Sequence, residues 1–256
     1  MYLKQIFNHY GIKIRILQYI FFVSTVYSLF ILPLSWLFLA FICYAFLVSF
    51  GGNIGLHRYF CHNSFKTSKI WHNILLFFSH YIGVGSVISW VGQHRHHHLN
   101  ADTKNDVHSP YTNNMIKVFF GLWNISISKY LIKDVYKNES LKLFHTFYFK
   151  FHIFIIIFWL SLDLLFGSYL FLACYAIPNF LCLMSGYILA TITHYHGYKN
   201  FKVNDNSTNS WIANILTLGE GWHNNHHFNP KNPNTRIKWW EFDLQFQIIK
   251  LIKNND

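Results

Sequence analysis

The run "ILQYIFFVSTVYSLFILPLSWLFLAFICYAFLVSFGGNIGLH" occupies residues 16–57 and contains no Lys, Arg, Asp or Glu. A bilayer crossing takes about 20 apolar residues, so this stretch is long enough to cross twice. Pro33 sits where it would turn. A second stretch, Phe151 to Tyr198, carries one charge, Asp163, and the turn-forming "DLLFGS" from Asp163 to Ser168. The reading is two helical hairpins, residues 16–32 with 34–54 and 147–165 with 169–191. Composition agrees: 52% of residues are hydrophobic and only 12% charged, where a soluble domain carries about a quarter charged. The expected fold is all-α and integral to the membrane, with four transmembrane helices. No linker or low-complexity tract divides residues 1–256, which read as a single domain.

Charge placement orients the chain. Its 21 Lys and Arg fall in three blocks, before the first hairpin, between the hairpins and after the second, and both inter-helix turns carry none. By the positive-inside rule both termini and the central segment share the cytoplasmic side. The net charge of +11 then suits anionic lipid rather than nucleic acid. The basic, then apolar N-terminus lacks a small-residue cleavage site and reads as an anchor rather than a signal peptide. Cys43, Cys61, Cys174 and Cys182 form no CxxC pair and read as buried free thiols.

The chain has seventeen histidines, and most gather at the cytoplasmic ends of the spans. "GLHRYFCH" holds His57 and His62, "GQHRHHHLN" holds His94, His96, His97 and His98, "THYHGYKNF" holds His194 and His196, and "GWHNNHH" holds His223, His226 and His227. At about 100° per residue, positions i, i+3 and i+4 share one helix face. That groups His94 with His97 and His98, and His223 with His226 and His227, while His96 points away. His57 and His62, five apart, would splay on a continuous α-helix and are expected to straddle the helix end. A lone interfacial histidine is ordinarily a satisfied polar side chain, but two HxxHH sets and a further pair point to metal. Eight or nine imidazoles are too many for a closed four-ligand zinc site and suit two metals. Imidazole alone does not choose among iron, copper, nickel and zinc. Two irons beside a bilayer suggest O2 activation against an unreactive C–H bond.

These motifs resemble the membrane fatty acid desaturase family, in its Δ9, stearoyl-CoA desaturase-like branch and bacterial short form. The shared stretches are "HRYFCH", "HRHHH", "GEGWHNNHH" and "NADTKNDVHSP", which is similar to the family's SDTxxDPHSP with Val107 in place of Pro; they lie between about Gly51 and Asp243 in the family's order. The resemblance implies a cytoplasmic helical cap holding two iron ions on His57, His62, His94, His97, His98, His194, His223, His226 and His227. His194 matches the histidine that ends the family's NxxxH element. It also implies an O2-dependent reaction placing a cis double bond, at Δ9, in the saturated chain of a fatty acyl-CoA, an acyl-carrier thioester or an acyl lipid. Electrons would come from a separate carrier such as cytochrome b5 or ferredoxin, since no haem-binding HPGG motif is present. The expected location is a bacterial inner membrane, with the active site on the cytoplasmic side.

Two positions depart from the family. Ala190 replaces the Asn of NxxxH, leaving Thr191 or Thr193 as candidates to hold the water that Asn would hold. Gly92 and Gln93 stand where animal acyl-CoA desaturases carry Arg-Asp, which favours a lipid or carrier thioester over acyl-CoA. Glu220, Asp102 and Asp106 read equally as carboxylates that orient ligand imidazoles or as helix-end and turn residues. Trp90, Trp222, Trp239 and Trp240 read as membrane-interface anchors, and "IKWWEFDLQFQIIKLIKNND" as an amphipathic C-terminal helix. The rival functions are a di-iron lipid hydroxylase and a non-enzymatic membrane metal-binding protein.

Overall fold

The computed structural model describes residues 4–119 and 127–254, with side chains for residues 11–118 and 127–254. Its principal helices are α1 (Lys4–Ile31), α2 (Leu34–Cys61), α3 (Lys69–Tyr81), α4 (Val87–Asn100), α5 (Glu139–Phe166), α6 (Phe171–Ile192), α7 (Trp211–Leu216), α8 (His223–Phe228) and α9 (Leu244–Ile252). Among the described residues the only β pairings are isolated bridges. α1, α2, α5 and α6 are long and apolar enough to cross a membrane, by length and composition. Their outward faces agree: Phe30, Leu34, Phe154 and Leu164 are all exposed, as lipid-facing side chains must be. This is a membrane protein.

The helix ends differ from the sequence reading. α5 starts at Glu139 rather than 147, because the Asn138 side chain accepts from the Leu141 amide and caps an earlier turn. The lone Asp163 is a local cap. It accepts from the Ser168 hydroxyl and from the Leu170 and Phe171 amides, closing the α5–α6 turn behind left-handed Gly167.

α2 shows the largest departure. From Val48 to Cys61 it is wound as a π-helix, with bonding from i to i+5, and it runs past the expected end at 54. The His62 amide donates to the His57 carbonyl at 3.1 Å. Residues five apart therefore lie over one another, and the two imidazoles pack with ring centroids 4.9 Å apart. As expected, the pair straddles the helix end, His62 being the C-cap residue, and the wider winding before it brings the two rings together. π-Helices this long are rare, and those found favour functional sites.

The wide segment packs closely on α3. A Cβ on Gly55 would stand 2.3 Å from Ser79 Oγ, and one on Gly51 would stand 2.6 Å from the Phe78 carbonyl. Ser79 Oγ in turn donates to the Gly51 carbonyl. The cap closes over this pair. Asn53 donates to the Thr217 carbonyl and Tyr44 to that of Leu216, joining α2 to the end of α7. The C-terminal helix is shorter than the amphipathic reading, beginning only at Leu244, where the Asp243 side chain accepts from the Phe246 amide. Gly55→Val is expected to lower stability by about 1–3 kcal/mol through overpacking, read as a drop in the melting temperature of the purified protein.

Candidate metal centre

Nine imidazoles converge in two clusters where α2, α4 and α8 meet the end of α6. The first gathers His57, His62, His94, His98 and His226; the second gathers His97, His194, His223 and His227. Within each cluster one ring nitrogen from every residue lies within 4.8 Å of the others. The two HxxHH boxes do not serve one cluster each. On an α-helix, i+4 lies about 40° to one side of i, and i+3 about 60° to the other. His94 and His98 therefore face the first cluster while His97 reaches the second. α8 mirrors this: His223 and His227 face the second cluster and His226 reaches the first. His96 lies outside both and bonds the Asn105 carbonyl.

Tautomers follow from the partners. A carboxylate only accepts, so an imidazole nitrogen beside one carries the proton. His57 Nδ1 meets Glu220 at 2.9 Å, His97 Nδ1 meets Asp106 at 2.9 Å, His194 Nδ1 meets Asp102 at 2.9 Å and His227 Nδ1 meets Asp205 at 2.8 Å. In the neutral form of each of these four rings the bare lone pair is then on Nε2. Yet His57 Nε2 stands 3.0 Å from His226 Nε2, and His194 Nε2 stands 3.2 Å from His223 Nε2. The first cluster continues through His226–His98, His98–His94 and His94–His62 contacts at 3.0, 3.0 and 3.1 Å, again Nε2 to Nε2. Two nitrogens each about 2.1 Å from one cation at right angles stand ~3.0 Å apart. The residues fit a pair of first-row metal ions.

The carboxylates are themselves held. Arg58, buried beneath the first cluster, pairs with Glu220 at 3.0 Å and Asp243 at 2.9 Å, and donates to the Pro233 carbonyl. Asp106 accepts from the Asp102 and His108 amides, and Asp102 from Ser109 Oγ and the Asn206 amide. Both readings of Asp102 and Asp106 hold at once: each shapes its loop and orients a ring. Glu220 orients His57. Burial opposes ionisation of Asp102, Asp106 and Glu220. Contacts with His194, with His108 and His97, and with Arg58 and His57, respectively, outweigh it and hold all three below the usual carboxylate range.

Asp205 has no counterpart in the sequence reading, because "VNDNS" fits no pattern. The available signal was scarcity. The chain has only ten acidic residues, and Asp205 falls between two histidine boxes. Other assignments change. Trp222 is fully buried, donates to the Phe242 carbonyl and packs edge-on against Trp211, so it is core rather than an interface anchor. Trp90 stacks on His94 at 4.8 Å. Trp239 is 80% exposed, as an anchor would be. Thr191 and Thr193 donate to the Tyr187 and Leu189 carbonyls of their own helix. Neither lines the cavity beside the clusters, whereas Ala190 does. That cavity holds about 250 Å³ and touches His57, His94, His97 and His223, with Trp90, Leu56 and Leu183 among its apolar walls.

Fold and site together define a membrane-embedded oxidoreductase built on histidine boxes. Residues 34–251 match the fatty acid desaturase family model, and the chain belongs to that family. Similar proteins include the Acyl-CoA C20 Delta5-desaturase of Anemone leveillei, 32% identical over 86% of this chain and 72% of the relative. An Acyl-CoA 5-desaturase of the same organism is 31% identical, over 82% of this chain and 66% of the relative. The sn-1 stearoyl-lipid 9-desaturase of Anabaena variabilis is 29% identical over 79% and 75%. The chain thus spans about two thirds to three quarters of these relatives' lengths.

Burial, and then repulsion from neighbouring imidazoles, hold His62, His94, His98, His223, His226 and His227 well below the ordinary value of 6.5. The unfolded chain therefore binds more protons below that pH. Stability is full above it and falls as the pH drops. The melting temperature of metal-free protein is expected to fall between pH 7 and 5, before the carboxylates titrate. Separately, Asp205→Ala frees His227 and is expected to weaken metal affinity about 10–100-fold, read by competition with a chelator.

Proposed function

We propose that this chain is an O2-dependent fatty acyl desaturase whose nine clustered histidines hold two iron ions. The observation that carries the reading is the set of carboxylate-fixed imidazoles whose Nε2 atoms stand about 3 Å from the Nε2 of a second imidazole beside an apolar cavity. Bound iron would supply O2 activation. The balance is one CH2–CH2 unit, O2, two electrons and two protons, giving CH=CH and two waters. The protein's part is positional. Glu220, Asp106, Asp102 and Asp205 fix the ring tautomers, and the apolar walls hold a chain against the clusters and exclude water. Electrons come from a separate carrier protein, for which the basic flanks suit an acidic surface. The distribution of Lys and Arg supports placing the clusters and both termini on the cytoplasmic side; the membrane we propose is a bacterial inner membrane, with residues 1–256 acting as one domain.

The substrate is a saturated acyl chain on a thioester or lipid, and the product a cis alkene, with Δ9 the position the family resemblance favours. Relatives named for positions 5 and 9 are similar to this chain in sequence, at 31% and 29% identity. The test is expression in a host lacking desaturases but supplying a compatible electron donor, followed by fatty acid analysis. The native chain is expected to produce monounsaturated acyl chains, and His226→Ala none. Hydroxylated chains instead of alkenes would establish the hydroxylase, and equal products from both proteins would overturn the metal assignment. Iron binding without any change in lipids would leave a metal-binding protein.

A further inference from the structure

The two clusters are unequal. The first gathers five imidazoles and the second four, so an ion in the second keeps one more position for a donor from outside the histidine set. Histidine-bound iron commonly keeps such open positions. The second cluster meets the cavity through His97 and His223, and the side chains lining the cavity beside them decide what that position can take.

Ala190 is one of those side chains. It lies one turn ahead of His194, with Thr193 still helical at φ −76° and ψ −8°. Residues four apart share a helix face, so α6 presents only a methyl group on the side of its ligand. The threonines nearby are bonded to carbonyls of their own helix.

Gln93 holds the matching place on α4, one turn ahead of His97, and it also lines the cavity. At about 100° per residue it projects ~40° from His97 but ~100° from His94, which puts it on the second cluster's side of the helix. Among the described residues its amide has no hydrogen-bond partner, and the residue is only half-buried. The other polar groups nearby are engaged. Asn53 donates to the Thr217 carbonyl, and Glu220 is held by Arg58 and His57. His108 groups with His97 and Asp106 but not with the other three rings of the second cluster. An amide both donates and accepts, and one left without a partner in a largely apolar cavity points to a ligand.

Resting on the two-metal desaturase reading, we propose that Gln93 is a positioning residue for the metal on the four histidines. Its amide donates to a small non-protein ligand, water or a small anion, bound on the cavity side of that metal. Ala190 leaves the space that the ligand fills. α4 thus supplies, from one turn before His97, the hydrogen bond that α6 lacks one turn before His194.

The probe is azide, added to purified protein loaded with ferric iron and followed by its charge-transfer band. Native protein is expected to hold two irons per chain and to bind azide. Gln93→Met and Gln93→Ala are each expected to weaken azide binding about tenfold with iron content unchanged, and Ala190→Leu to weaken it by filling the space. Adding Ala190→Asn to Gln93→Ala is expected to restore most of the affinity, since an amide then approaches from α6. Thr191→Val is expected to match the native protein. Two irons without an azide band, an affinity unchanged in both Gln93 variants, or a loss that Ala190→Asn leaves in place would overturn the proposal while the metal centre stands. Native protein that holds fewer than two irons would overturn both.

Discussion

A neutral imidazole presents one bare nitrogen to a cation while its other nitrogen keeps a proton that, when buried, calls for an acceptor, and that requirement organises the cap. Glu220, Asp106, Asp102 and Asp205 meet it for His57, His97, His194 and His227. Two of them belong to elements distant from the ring they orient. Glu220 precedes α8 but serves α2, and Asp102 follows α4 but serves the end of α6. Clusters and cap therefore depend on each other. Arg58 completes the arrangement by pairing with both Glu220 and Asp243 away from water. A buried ion pair contributes little net stability, but removing one partner leaves a charge that costs several kcal/mol. Its role here is to fix how the residues around Glu220 and Asp243 sit on α2.

The membrane portion supplies the second constraint. α2 must bring two histidines five residues apart to one cluster and must also lie close against α3. The π-winding achieves the first, and the glycines at 51 and 55 permit the second. The two demands meet on one short segment, so a change at either glycine also shifts the registration of His57 and His62. The exchange of His97 and His226 between clusters locks α4 to α8 in the same manner, since neither helix can move without disturbing both groups.

How much was legible beforehand depended on whether the pattern was local. The spans could be read from uninterrupted apolar runs because a bilayer imposes length and composition directly. The HxxHH sets could be read from helical spacing, as could the exclusion of His96. Trp222 could not, since an aromatic beside a histidine box reads alike whether it faces lipid or lies in the core. Nor could Asp205, whose partner is 22 residues away and whose neighbours follow no motif.

Sequence by itself determined the membrane class, the four apolar spans and the two HxxHH sets, because each rests on composition or on spacing within one helix, while His57, His62 and His194 joined them through the family resemblance. Tertiary structure alone decided how nine rings divide into five and four, which carboxylate holds which ring, and that α2 widens to unite His57 with His62. It also decided which side chains line the cavity. Those features arise from segments far apart in the chain meeting at fixed angles, and no local spacing encodes the angle at which two helices cross.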